Sequence, residues 1–167
     1  MSNVVNIILD LLFPRRCPVC GQIVMPKGAL ICGACMKKLS WVRGPVCKCC
    51  GKEIISETME YCPDCAARPR AFSHGMALLN YNEISAPSLA MIKYHNRREY
   101  LDFYAEAAYR RYAGNIARLS PGLIIPVPVH KSRLKKRGFN QAEEFGKRLS
   151  EHLKIPMSSE FSIRSKK

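Results

Sequence analysis

The chain has 167 residues, 47% of them hydrophobic, with 27 Lys and Arg against 13 Asp and Glu and a formal net charge of +14. That length leaves room for one ordinary domain and a small one, and excludes a larger assembly of domains. The charge favours anionic partners (nucleic acid, phosphorylated metabolites or acidic proteins), and 17 of the basic residues lie in 76–167.

Residues 1–13 are apolar, through Val4, Val5, Ile7, Ile8, Leu9, Leu11, Leu12 and Phe13. No positive stretch precedes them, Asp10 interrupts them, and no small-residue cleavage site follows, so they do not read as an export signal. They are far short of a membrane span. The expectation is a short helix packed on a core and a chain without a transmembrane segment.

Four Cys-x-x-Cys pairs follow at one spacing: Cys17/Cys20, Cys32/Cys35, Cys47/Cys50 and Cys62/Cys65. Two thiolates two residues apart grip one ion, and two such pairs close a tetrahedral site, so eight sulfurs predict two structural Zn²⁺. Disulfides suit exported chains, which this does not resemble. A thioredoxin-like redox motif explains one pair, not four at equal steps. An iron–sulfur cluster uses the same ligands, and sequence alone leaves it open.

Gly21 and Gly51 follow the first pair of each half, and eleven residues separate Cys20 from Cys32 and Cys50 from Cys62. The unit therefore repeats at thirty residues. This favours sequential sites, Cys17, Cys20, Cys32, Cys35 for one ion and Cys47, Cys50, Cys62, Cys65 for the other. Cys49 breaks the repeat, as a spare thiol or as a substitute for Cys50. Each four-thiolate site contributes −2, which brings the metallated chain to about +10. The expected module spans 14–67, is full of turns and short strands, and depends on its ions to fold. Leu39 and Trp41 lie between the two sites and read as a small core that packs them together.

Residues 66–70 read as a linker. From residue 75 to 167 strand and helix patterns alternate. Residues 75–81 read as a strand, 85–94 as a helix with Pro87 in its first turn, and 99–118 as a helix with Tyr100, Tyr104, Ala108, Tyr112 and Ile116 on one face. Residues 123–129 read as a buried strand ending in prolines. A basic loop, 130–138, comes next. Asn140, in a capping-box pattern with Glu143, then starts a helix whose apolar stripe is Ala142, Phe145, Leu149 and Leu153. Pro156 closes that helix, and 157–163 reads as the start of a further strand. The expected fold class is therefore α/β, a double zinc-ribbon module followed by an incomplete parallel-sheet domain.

The segment from Pro126 to Ala142 joins a proline-fixed strand end, five basic residues and a capped helix start. Helix N-termini attract phosphate, and arginine holds it bidentately. The candidate phosphate-binding residues are His130, Lys131, Arg133, Lys135, Lys136, Arg137, Gly138, Asn140 and Gln141. A solvated basic turn is the plainer reading. Tyr94–Arg98 is a second basic turn that could face the same cleft. No nucleophile or acid/base pair stands out.

The cysteine ladder followed by PVPVHKSRLKKRGFNQAEEFGKRL resembles the competence protein F (ComF) family of bacterial phosphoribosyltransferase-like proteins. The resemblance implies a type I phosphoribosyltransferase-like fold behind a zinc ribbon, a cytoplasmic location, and association with DNA uptake and its machinery. It implies Mg²⁺ with phosphoribosyl diphosphate only where the fold is completed. Such proteins carry further on an acidic strand end and a Thr-Thr-Gly-type loop, which these residues lack. The chain is thus expected to be a truncated form, inactive as an enzyme. The alternatives are a zinc-ribbon adaptor that binds single-stranded DNA, through phosphates and stacking on Tyr94, Tyr100 or Phe139, or one that docks other proteins.

Overall fold

The computed structural model describes residues 13–68 and 70–160. The helix expected over 1–13 lies outside them, apart from Phe13. The chain divides into two units, Met1–Lys37 with Pro87–Lys167, and Lys38–Ala86. The described helices are α1 (Gly33–Lys38), α2 (Pro63–Ala67), α3 (Ser85–Tyr94), α4 (Tyr100–Leu119), α5 (Lys131–Arg137) and α6 (Gln141–Leu153).

In the first unit α4 and α6 pack against each other. Ala105, Ala107, Ala108, Ala113 and Ala117 favour the twenty-residue α4 because they lose no side-chain freedom on becoming helical. It ends where Ser120 turns left-handed, at φ 45°, just before Pro121. Its first two turns are buried through Tyr100, Leu101, Phe103, Tyr104, Ala105 and Ala107. Burial of each large side chain contributes about 1.5–3 kcal/mol. Tyr104 donates a 2.7 Å hydrogen bond to Ser88 of α3, and both are buried. On the α4–α6 seam, Arg148 meets Asp102 at 2.6 Å and the His152 ring stacks on Tyr109 with centroids 5.2 Å apart. Asn140 caps α6 by accepting from Ala142 N–H at 3.0 Å. Glu143 and Glu144 lie at its positive end and His152 at its negative end, the arrangement the helix dipole favours.

In the second unit the core is Leu39, Val42, Ile54, Cys47 and Cys62, all under 9% exposed. Residues 75–81, expected to open a parallel sheet, instead run beside Ser40–Val42. Leu79 forms an antiparallel bridge with Trp41, and Asn80 N–H donates to Ser40 O at 2.8 Å.

The expected α/β class, with its incomplete parallel-sheet domain, is therefore corrected. Beyond the ribbons the described elements are helical, and no strand ladder forms among the described residues. The 123–129 run makes a single parallel bridge, Ile124 with Met157. Pro126 and Pro128 have no N–H to extend it. Ile125 and Val127 are 53% and 74% exposed, whereas a parallel-sheet strand is covered on both faces. The basic stretch expected as a loop is largely the helix α5. No described helix is long and apolar enough to cross a membrane.

Candidate functional site

The thirty-residue repeat is reproduced bond for bond. Antiparallel bridges pair Arg16 with Ile23 and Val46 with Glu53. Cys17 N–H donates to Gln22 O at 2.8 Å, as Cys47 N–H does to Lys52 O; Gly21 N–H donates to Cys17 O at 2.9 Å, as Gly51 N–H does to Cys47 O. Gly21 and Gly51 share φ 72°, a left-handed turn that suits glycine. In each half the second Cys-x-x-Cys pair opens a short helix, α1 or α2, which brings Cys35 or Cys65 back toward the first pair.

The sulfurs gather into two sets, Cys17, Cys20, Cys32, Cys35 and Cys47, Cys50, Cys62, Cys65, all within 4.8 Å of one another in each set. Cys20 Sγ lies 3.9 Å from Cys32 Sγ, and Cys50 Sγ 3.7 Å from Cys62 Sγ. Four Zn–S bonds of about 2.3 Å give a tetrahedron with an edge of about 3.8 Å. A disulfide would need about 2.05 Å. Each set thus fits one tetrahedral ion, and the chain carries two structural Zn²⁺ sites arranged sequentially. Cys49, half-buried, stays outside the second set, which takes Cys50.

The electrostatics favour a cation. Burial pushes Cys17 up, but the backbone N–H groups of Cys20, Cys32 and Val19 outweigh it and bring the thiol down to about 7. Cys47, likewise raised by burial, is brought to about 6 by the N–H groups of Cys50, Cys62 and Cys49. Their neighbours resist a second negative charge. Burial and the adjacent Cys20 and Cys17 raise Cys35 to about 12, and burial with Cys50 and Cys62 raises Cys65 to about 12. A dication removes that conflict by deprotonating all four ligands at once.

The two knuckles differ in their cover. A Cβ on Gly51 would lie 2.5 Å from Gly75 O and 2.9 Å from Ala77 N, whereas one on Gly21 would meet nothing within 4 Å.

The basic residues form a second candidate site. His130 caps α5; its Nδ1 accepts from Ser132 N–H at 3.3 Å. Arg137 donates to Gln141 Oε1 at 3.1 Å, and its guanidinium lies 5.1 Å from the Tyr94 ring centre. Arg98 lies 4.2 Å over Phe139, which is buried. Gly138, at φ 77°, closes α5, and Asn140 Nδ2 donates to Val127 O at 3.2 Å. Arg137 and Phe139 thus meet the 94–98 turn, and Gln141 is joined to it through Arg137, whereas the contacts of His130 and Asn140 run to Ser132, Ala142 and Val127. Lys131, Arg133, Lys135 and Lys136 lie along α5. Lys131 and Lys135 share one face of α5, Arg133 and Arg137 another, so the charge rings the helix.

The pocket beyond Pro126, Pro128 and Val129 holds about 160 Å³, and Glu143 stands in its wall. Small-molecule sites usually measure about 300–1,000 Å³, and a carboxylate repels phosphate.

Asp102, which sequence reasoning missed, accepts from Arg15 at 2.7 Å and from Arg148 at 2.6 Å. Its partners lie 87 and 46 residues away, and no local pattern marks such a pairing.

Paired tetracysteine knuckles define this as a double zinc ribbon protein, and residues 8–66 match the double zinc ribbon domain family. Over most of its length the chain is distantly similar to proteins of the ComF family. It is 24% identical to competence protein ComFC of Bacillus subtilis over 82% of this chain and 60% of that protein. It is 29% identical to competence protein F of Haemophilus influenzae over 86% of this chain and 63% of that protein. The chain thus spans about three-fifths of the length of these relatives. No solved structure matches it.

Proposed function

We propose that this chain is a zinc-organised competence protein that holds single-stranded DNA on the surface formed by residues 94–98 and 130–141. The observation that carries this reading is the meeting of the two basic turns through Arg98–Phe139 and Arg137–Tyr94. Guanidinium groups held on aromatic faces contact phosphates and stack on bases, and the exposed Tyr94 offers a further stacking face. The net charge, +14 before the metal sites are counted and about +10 with them, supplies the sequence-independent attraction. The names of the two relatives support a competence role, and thiolate-bound zinc suits a reducing, cytoplasmic setting.

Titration of a labelled single-stranded oligonucleotide at increasing salt tests it. Log affinity should fall with log salt by about 0.7 per phosphate neutralised, and Arg98→Ala with Arg137→Ala should weaken binding and flatten that slope. A wild-type affinity indifferent to salt rejects the reading.

A second reading, docking of another uptake protein, is favoured by exposed apolar side chains on the second ribbon: Val46, Ile55, Met59 and Tyr61. Ile55→Ser with Tyr61→Ser should then lower DNA uptake while leaving oligonucleotide binding intact.

A further inference from the structure

The two metal sets belong to different units. Cys17, Cys20, Cys32 and Cys35 lie in the unit that contains α4 and α6; the other four lie in Lys38–Ala86.

Arg15 stands two residues before Cys17, next to the Arg16–Ile23 bridge. Its Nη1 donates to Asp102 Oδ2 at 2.7 Å and to Glu99 O at 3.3 Å. Arg148 of α6 holds the other Asp102 oxygen at 2.6 Å and also donates to Glu144 Oε2 at 3.1 Å. The strand entering the first metal set is therefore tied to the first turn of α4 and, through Asp102, to α6. Apolar side chains from the same segments face a common space. Ile31 and Phe103 are buried, and with Leu30, Met36 and Ala107 they line a cavity of about 470 Å³.

The start of α4 is also where the basic site is anchored. Arg97 and Arg98 come directly before Glu99, Arg97 reaches Glu99 Oε1 at 3.4 Å, and Arg98 covers Phe139. Glu99, whose carbonyl Arg15 holds, thus also holds Arg97 of the 94–98 turn. A ribbon this short has little core of its own, so loss of its ion frees its strands.

We infer that the first cysteine set, and not the second, controls the basic site. Metal at Cys17, Cys20, Cys32 and Cys35 holds Arg15 on Glu99 and Asp102. Its loss loosens the start of α4 and parts Arg98 from Phe139 and Arg137 from Tyr94. By linkage, a ligand on the basic site tightens the first ion and not the second. The ligand arm of this inference rests on the nucleic-acid reading; the structural arm does not.

The chain supplies its own two reporters. Its single tryptophan, Trp41, lies in the second unit, and the longest of the described helices, α4 and α6, lie in the first. In the zinc-loaded full chain, Cys20→Ser should lose one ion by native mass spectrometry and lower the helical melting temperature by circular dichroism, with Trp41 emission unchanged. Cys50→Ser, its counterpart thirty residues on, should shift Trp41 emission and leave the helical melt in place. Should either variant fail to fold, chelator titration of the wild type replaces it, with the helical and tryptophan signals lost in two separate steps. Coincident loss of both signals overturns the inference.

Arg15→Ala keeps all eight thiols and should retain two ions per chain, yet bind the oligonucleotide about tenfold more weakly, with Arg15→Lys intermediate. Unchanged binding by Arg15→Ala overturns the link to the basic site. Failure of the wild type to bind at low salt instead defeats the nucleic-acid reading, and the two spectroscopic signals still decide whether the first set controls α4.

Discussion

The backbone of Gly75 lies against that of Gly51, so close that a Cβ on Gly51 would stand 2.5 Å from Gly75 O. Gly21, its equivalent thirty residues earlier, has the same φ of 72° and open space around it. Alanine at either position meets the left-handed penalty of about 1–2 kcal/mol. At Gly51 it must also displace backbone, which adds about 1–3 kcal/mol. Gly51→Ala should therefore lower the denaturation midpoint of the Trp41 signal clearly more than Gly21→Ala lowers that of the helical signal. Equal losses would mean that the 75–77 segment yields at no cost.

Zinc should leave in acid. A thiol held below its ordinary value contributes stability above that value and loses it as pH falls through the folded one. Cys47, held at about 6, and Cys17, at about 7, contribute fully in alkali and cease to contribute as the solution is acidified past those values. Bound metal shifts the loss further into acid, because protons must displace it. Native mass spectrometry should count two ions per chain at neutral pH and none once the ligands are protonated. Retention of both ions through strong acid would contradict a thiolate site.

Tyr104→Phe removes the donor to Ser88 and leaves a buried hydroxyl without that partner. The expected cost is about 1–3 kcal/mol. Ser88→Ala in the same chain should recover part of it, because both polar groups are then gone. A double-mutant cycle by urea denaturation that gives strictly additive losses would show that the bond contributes nothing.

Asn140 serves two ends at once, capping α6 and holding Val127 O. Asn140→Ala should cost about 1–2 kcal/mol, and Asn140→Asp, which keeps the cap but loses the donor to Val127, should cost less. Thermal melts of the two variants separate these parts.

The metal sets could be read from the sequence almost completely, because a knuckle is a local object. Spacing fixes which sulfurs can meet, and glycine marks the turn beneath them. The limits of α3 and the Asn140 cap were readable for the same reason. The parallel sheet was not there to find. Val, Ile and Leu at 123–129 match a strand pattern, but a ladder needs a neighbour, and Leu79, which was to belong to that sheet, pairs with Trp41. The gathering of Arg15, Asp102 and Arg148 joins three distant segments, and composition along the chain carries no trace of it.

Pro126 and Pro128 leave an apolar stretch at the surface, yet they also shield it. A bare row of amides beside Ile125 and Val127 would be a template on which further copies could add strands. With two of those amides replaced by pyrrolidine rings, the row cannot be continued. The residues that cut the bridge short therefore also remove two amides on which a strand from another copy could be built.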